Sequence, residues 1–219
     1  YLGGHGNSIG GIIVDSGKFP WGDYPKKFNR LTEPDPSYHG VVYTEALGEA
    51  AYIGRARVVP LRNMGAAISP FNAFLIMQGI ETLPLRMDRI CYNSLQIAKY
   101  LSDHPKVAWV NYAGLPEHSD HDLVQKYMDS KASGILTFGV SGGKKAGENF
   151  QDNLKLITRL VNIGDCKTLA CHPVSTTHRQ LSEDEWAKAG VSADMIRLSV
   201  GIEHIDDIIQ DIDQALVTS

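Results

Sequence analysis

The chain has 219 residues, of which 43% are hydrophobic and 21% are charged, and its formal net charge is −4. These proportions are ordinary for a globular protein, and the length suffices for one large domain or two small ones. Charges of both signs are interspersed, so no basic patch favours nucleic acid. The apolar runs fall far short of the ~20 residues that cross a bilayer. We therefore expect neither nucleic-acid binding nor a membrane role.

Three cysteines are present, Cys91, Cys166 and Cys171. The odd count and the spacing match neither a zinc site nor a redox motif, which indicates reduced thiols in a cytoplasmic protein.

The first third of the chain predicts few regular elements. Residues 9–15 form a β-branched run between glycines, which predicts a buried strand already under way. Residues 16–37 are rich in proline and aromatic residues and predict a long ordered loop. An amphipathic pattern predicts a helix over 46–57. Ser69 followed by Pro70 is typical of a helix start, here for a helix over 71–80.

The remainder alternates between helices and strands. A long apolar stripe predicts a helix over 85–101. Strands are predicted over 107–112, 134–140, 167–170 and 195–200, and helices over 122–127, 150–160, 183–189 and 205–216. This alternation indicates an α/β protein with helices packed on a sheet. A boundary near Leu83–Pro84 would divide the chain into residues 1–83, the tail of one domain, and residues 84–219, a compact α/β domain.

Arg197 is the strongest candidate for a functional residue. It interrupts the otherwise apolar strand over 195–200, and a buried guanidinium needs a partner because an unpaired buried charge costs several kcal/mol. Its planar fork suits a carboxylate held by two hydrogen bonds. The residues alone leave two interpretations open, a bound carboxylate ligand or a structural ion pair within the chain.

Other polar residues give weaker signals. Asn162 lies in a glycine-containing turn and could bind a ligand or serve only the turn. Thr177 lies in a hydroxyl-rich run and could orient Arg197 or be a strand or cap residue. His118 and His121 do not have a second cluster with metal-ligand spacing, and no phosphate-binding loop or nucleophilic-serine motif is present. These residues form no complete catalytic set.

Several motifs together resemble the fold-type I enzymes of cysteine and methionine metabolism that use pyridoxal 5'-phosphate (PLP). Residues 1–6 are similar to the segment that follows the cofactor lysine, and residues 15–21 look like the insertion that marks O-acetylhomoserine sulfhydrylases in that family. The resemblance runs along the whole chain, through residues 69–74, 78–83, 85–87, 162–165, 172–178 and 197–203. It implies the C-terminal part of a fold-type I transferase, with the end of the PLP domain followed by a small α/β domain.

The resemblance implies a division of roles in the site. The lysine that carries the cofactor would lie immediately before Tyr1, so no catalytic residue and no cofactor contact is expected within the chain. Arg197 corresponds to the arginine that binds the α-carboxylate of the substrate, and Asn162 to a position that helps to hold it. Thr177 corresponds to a hydroxyl that supports the arginine. PLP would be the cofactor, and no metal is implied.

The implied reaction is γ-replacement in methionine biosynthesis, in which O-acetyl-L-homoserine and sulfide give L-homocysteine and acetate. The sulfide would be free or supplied by a carrier protein, and family members are typically homotetramers. Asn162 and residues 18–21 favour a sulfhydrylase over a methionine or cystathionine γ-lyase or a cystathionine γ-synthase. O-acetylserine or O-succinylhomoserine as substrate stays open. So does a non-catalytic binding or scaffold domain, because the chain itself contains no cofactor lysine.

Overall fold

A computed structural model describes all 219 residues, which form two compact units. The smaller unit is Ile9–Phe74, and the larger one combines Tyr1–Ser8 with Leu75–Ser219. The sequence-based boundary at Leu83–Pro84 coincides with the beginning of the longest helix instead, at Leu83. A division of the complete protein at that point stays a prediction.

The smaller unit consists of short helices around a small core. Its helices are α1 Asn29–Thr32, α2 Tyr43–Leu47, α3 Ala51–Ala56 and α4 Arg62–Met64, and the π-helical turn Arg57–Leu61 joins the last two. Leu31, Tyr43 and Ala51 form the core. The helix predicted over 46–57 is interrupted at Gly48, because its φ of 52° does not continue a right-handed helix.

The prediction of a buried strand over residues 9–15 is wrong in this structure. These residues form no strand, and Ile9, Ile12 and Val14 are 84%, 83% and 84% exposed. A strand exists only where its backbone groups pair with a neighbour. The smaller unit offers no neighbouring strand, since its sole β-pairing is the isolated bridge between Asp35 and Val41.

Two helices confirm the predictions of helical structure over residues 71–80 and 85–101. Helix α5 spans Pro70–Glu81, and the backbone N–H of Asn72 donates to the Ser69 hydroxyl over 3.1 Å, so Ser69 is the N-cap. Helix α6 spans Leu83–Ser102 and buries Ile90, Ile97 and Leu101 completely.

The larger unit contains the predicted α/β layer. Its strands are β1 Val107–Asn111, β2 Ile135–Val140, β3 Thr158–Arg159, β4 Leu169–Cys171 and β5 Met195–Ser199. Its further helices are α7 His121–Met128, α8 Gly143–Asn153, α9 Glu183–Lys188 and α10 Ile205–Val217. None of the ten helices combines the length and apolar character needed to cross a bilayer.

The five strands form one sheet in the order β1-β2-β5-β4-β3, so β5 is central. All neighbours are antiparallel except β3 and β4. Leu136, Phe138, Ile196 and Leu198 project from one face and are at most 1% exposed. They form the main core with side chains of α6, α8 and α10. The opposite face contains Arg197 and Ser199, because alternate residues of a strand point to opposite sides.

The helix predicted over 150–160 is wrong beyond Asn153. The structure places α8 at Gly143–Asn153, with Gly142 as its N-cap, so this helix begins seven residues before the predicted one and ends seven residues before it. The following backbone is bound by Asp211 of α10, whose carboxylate accepts hydrogen bonds from the N–H groups of Lys155, Leu156 and Ile157 at 2.9, 3.0 and 2.8 Å. This contact from a distant helix replaces the local helical bonds.

His172 is a fully buried histidine at the end of β4. Its Nε2 lies 2.9 Å from the carbonyl oxygen of Ala193, and its Nδ1 lies 2.9 Å from the Ser175 hydroxyl. A carbonyl only accepts, so Nε2 carries the proton and Nδ1 is left to accept from Ser175. Burial lowers the pKa of His172 below its ordinary value, which keeps the ring neutral.

We predict a loss of stability on acidification that depends on His172. The unfolded chain takes up this proton below about pH 6.5 whereas the folded one does so only at lower pH, so the contribution is present above pH 6.5 and is lost as the pH falls. Urea unfolding at pH 7.5 and 5.5 should show a smaller pH dependence in His172→Asn than in wild type. The exposed His39, replaced by Asn as a control, should leave the wild-type pH dependence unchanged. Equal pH dependence in all three proteins would contradict this role of His172.

Candidate functional site

Arg197 lies in the middle of the central strand on the face opposite the core. Its Cα pairs with Thr137 of β2 and Cys171 of β4, so its backbone is fixed from both sides. Its Nη2 lies 3.5 Å from the carbonyl oxygen of Asn162, and its Nε is buried with no hydrogen-bond partner. No carboxylate of the chain forms a salt bridge with it. The internal ion pair considered above is therefore wrong for this structure, and the guanidinium remains available to an anion.

Asn162 is next to Arg197, in an exposed turn that leads to β4. Its side chain forms no hydrogen bond and is close to Gly6, where an added Cβ would be 3.2 Å from its Nδ2. The N–H of Gly164 donates to the Ser199 hydroxyl over 2.9 Å, and Asp165 accepts from the N–H of Lys167 over 3.0 Å. The structure therefore brings Asn162 and Arg197 together and leaves the Asn162 amide free for a ligand.

Cys171 of β4 pairs with Arg197 in the sheet register, which makes its thiol a candidate reactive group. Burial raises its pKa, and the positive charge of Arg197 offsets part of that rise. A thiol with a raised pKa is a poor nucleophile at neutral pH, because only the thiolate is reactive. The cluster therefore presents a positive charge from Arg197 but no activated nucleophile.

Thr177 is not part of this cluster in the structure. It is exposed, and its hydroxyl lies 2.8 Å from Nδ1 of the neighbouring His178. No hydrogen bond joins it to Arg197, whose only side-chain hydrogen bond is to Asn162. Its support of the arginine stays a prediction.

The two histidines considered for metal binding have other partners. His118 Nε2 is 2.8 Å from the Asn111 side chain, and His121 Nε2 is 2.8 Å from the Gln125 side chain. No group of three His, Cys, Asp or Glu residues is arranged to hold a metal ion.

Arg86 of α6 was missed as a structural determinant of this site. It is 6% exposed and donates to the carbonyl oxygens of Tyr1, Leu2 and Gly79 at 2.8, 3.2 and 2.7 Å. Its Nε donates to the Thr82 hydroxyl over 3.2 Å. All these acceptors are neutral, so three backbone carbonyl groups and one hydroxyl stabilise the buried cation, which in turn holds the first two residues of the chain. The sequence signals were an arginine in a mostly apolar helix start and its place in the family motif at residues 85–87.

Tyr1 packs directly against the turn that contains Asn162. Its hydroxyl accepts from the N–H of Gly134 over 3.2 Å, and its ring covers Gly164. Gly4 accepts from the N–H of Cys166 over 2.8 Å. The beginning of the chain and the Asn162 turn therefore form one packed cluster within the larger unit.

The comparisons with known proteins identify the family. Residues 1–217 match the family model described as Cys/Met metabolism PLP-dependent enzyme. The chain belongs to this family. The Cys/Met metabolism enzymes are PLP-dependent, so the cofactor expected from the sequence motifs is confirmed at the level of the family. The α/β architecture expected from the same motifs is confirmed as well.

Relatives in the Cys/Met metabolism family include proteins named as a sulfhydrylase and as a homocysteine synthase. O-acetyl-L-homoserine sulfhydrylase 1 of Thermus thermophilus is 52% identical over 99% of the chain, and homocysteine synthase of Schizosaccharomyces pombe is 50% identical over 99%. The chain covers 51% and 50% of those proteins, so it spans about half the length of the curated relatives that it matches.

A solved structure in the same group has the same fold. It is a Campylobacter jejuni protein assigned as an O-acetylhomoserine (thiol)-lyase, which contains N'-pyridoxyl-lysine-5'-monophosphate. It superposes with a TM-score of 0.86 at 37% sequence identity, over 99% of this chain and 52% of that one.

We predict that Gly164 tolerates no side chain because of Tyr1. Its φ is 79°, and an added Cβ would overlap the backbone nitrogen of Tyr1 and approach its ring to 2.8 Å. Gly190 has a similar φ of 71° with open space around it, so Gly190→Ala tests the backbone strain alone. In urea unfolding, Gly164→Ala should destabilise the protein by roughly 1–3 kcal/mol more than Gly190→Ala, since overpacking adds to strain. Equal losses would show that Tyr1 does not pack on the turn as described.

Proposed function

We propose that the full-length protein is a PLP-dependent O-acetylhomoserine sulfhydrylase. The reaction breaks the Cγ–O bond of O-acetyl-L-homoserine, acetate leaves with the electron pair, and sulfide forms the Cγ–S bond of L-homocysteine. The guanidinium of Arg197 carries this proposal, since it has no carboxylate partner within the chain and fits the α-carboxylate of an amino-acid substrate. The names of two relatives with 52% and 50% sequence identity support the choice of reaction. Because the chain spans half of those proteins, we expect no activity from it alone.

The residues of this chain would bind and orient the substrate. Arg197 offers two parallel N–H groups to the α-carboxylate, which fixes both the position and the plane of that group. Asn162 adds amide donors on the same side of the sheet. Bound PLP supplies an electron sink for the carbanions that form next to the amino group. A rigidly held carboxylate would keep the breaking bonds aligned with that sink. Substrate binding by Arg197 and Asn162 would therefore raise the reaction rate through orientation.

We further propose that Thr177 supports Arg197 in the assembled enzyme, where the upstream half of the protein is present. The support is the resemblance of residues 172–178 to the family, and the contact with His178 would have to be exchanged. Loss of affinity for O-acetylhomoserine in Thr177→Val, with the protein still folded, would test it.

We propose that the enzyme is a cytoplasmic homotetramer that takes sulfide either free or from a carrier protein. Three free thiols support a reducing compartment. Large exposed apolar side chains support further burial in the complete assembly, for example Met64 at 78% and Phe71 at 69%. Light scattering on the full-length protein would measure the number of subunits.

The reaction assay distinguishes the proposal from its siblings. The full-length protein with PLP should form homocysteine from O-acetylhomoserine and sulfide, and should release little ammonia from methionine or cystathionine alone. Predominant ammonia and α-keto acid would indicate a γ-lyase instead. Formation of cystathionine from O-acetylhomoserine and cysteine, in place of sulfide, would indicate a cystathionine γ-synthase.

In the same assay we expect Arg197→Ala to lower kcat/KM for O-acetylhomoserine about a hundredfold or more, since removing one partner of a desolvated charge pair costs about 2–5 kcal/mol. Arg197→Lys should also bind poorly, because it loses the planar fork. The visible absorbance of bound PLP should be retained in both variants. Arg89→Ala, at an exposed position of α6, is the matched control. Wild-type activity in Arg197→Ala would overturn the assignment.

A further inference from the structure

The turn that contains Asn162 depends on the central strand for its position. Its flanks are held elsewhere: the N–H of Leu160 donates to Ala170 over 3.2 Å, and that of Cys166 donates to Gly4 over 2.8 Å. Between them, only two hydrogen bonds reach other segments of the chain, and both end on β5. Asn162 accepts from Arg197 over 3.5 Å, and Gly164 donates to Ser199 over 2.9 Å.

These two bonds differ in strength. A separation of 3.5 Å is at the limit of a hydrogen bond, whereas 2.9 Å is the usual length of a good N–H···O bond. The Ser199 bond is also fully enclosed, since Ser199 is 1% exposed and Gly164 is buried. Without the hydroxyl, the Gly164 N–H would be a buried donor with no acceptor, and the turn would have to move to satisfy it. Ser199 is therefore the main attachment of the turn.

The Ser199 hydroxyl that holds the turn lies on the same strand as Arg197 of the candidate binding site. Arg197 and Ser199 are two residues apart on one strand, so their side chains leave the same face of the sheet. One end of the turn consequently meets the guanidinium while the other is fixed to the neighbouring hydroxyl. Any displacement of the turn at Ser199 changes the distance between Asn162 and Arg197.

We propose that Ser199 is a positioning residue for the α-carboxylate site, which it sets by holding Asn162 beside Arg197. It acts through the turn, because a hydroxyl that is 1% exposed is closed to the ligand. The inference rests on the proposed function in one respect, that the anion bound between Asn162 and Arg197 is the carboxylate of an amino acid.

The test is a matched pair of variants in the full-length, PLP-loaded protein. Ser199→Thr keeps the hydroxyl and Ser199→Val replaces it with a methyl group of the same shape. The ligand is L-2-aminobutyrate, which has the α-carboxylate but no leaving group at Cγ, and n-propylamine is the same molecule without the carboxylate. Calorimetric titration should give a dissociation constant for L-2-aminobutyrate about tenfold higher in Ser199→Val than in Ser199→Thr, which corresponds to the loss of one hydrogen bond. The constants for n-propylamine should agree within about twofold.

Equal affinity of the Thr and Val variants for L-2-aminobutyrate would overturn the role of Ser199, and so would an equal loss for n-propylamine. If the Ser199→Val variant does not fold, Ser199→Ala is compared with Ser94→Ala, which removes a buried hydroxyl that donates to the Ile90 carbonyl within α6 over 2.7 Å. Only the Ser199 variant should lose affinity for the carboxylate ligand. A wild-type protein that binds L-2-aminobutyrate but makes no homocysteine would refute the proposed function and leave this result standing.

Discussion

The central strand β5 has to serve both faces of the sheet, and the rest of the structure depends on how it does so. Ile196 and Leu198 are fully buried and join the sheet to the helices on the core side. Arg197 and Ser199 alternate with them and face the other way. Because β2 and β4 bind both edges of β5, the backbone at Arg197 cannot shift without disturbing the core. A binding side chain on such a strand is held more rigidly than one on a loop.

The sequence predicted best the elements whose cause is local. Ser69 and Pro70 start α5 through a cap that involves only the next few residues, and the stripe of α6 needs only an apolar side to pack against. The predictions for residues 9–15 and 150–160 are wrong for the opposite reason, because their structure depends on distant residues. The first run has strand composition but no strand to pair with in its unit. In the second run, backbone N–H groups bond to the Asp211 carboxylate and not within a helix. Asp211 is 54 residues away from Ile157 in the sequence.

The same distinction explains which parts of the candidate site could be foreseen. A charged residue in an apolar strand is visible in the sequence, and Arg197 was recognised on that ground. Arg86 and Ser199 have no comparable signal, since their importance lies in bonds to residues 85 and 35 positions away. Whether Arg197 had an internal acid as partner could not be decided from composition, because 25 carboxylates are available and only the fold shows that none approaches.

Gly164 connects these observations. With no side chain, it allows Tyr1 to pack on one side of the turn, while its N–H is bound by Ser199 on the other. Arg86 meanwhile fixes the carbonyl groups of Tyr1 and Leu2 through a guanidinium that has only neutral acceptors. A cation stabilised in that way needs all its acceptors in place, since a lost one leaves a buried N–H unsatisfied. The first residues, the turn and strand β5 are consequently packed against one another, so a movement of any one of them has to be accommodated by the other two.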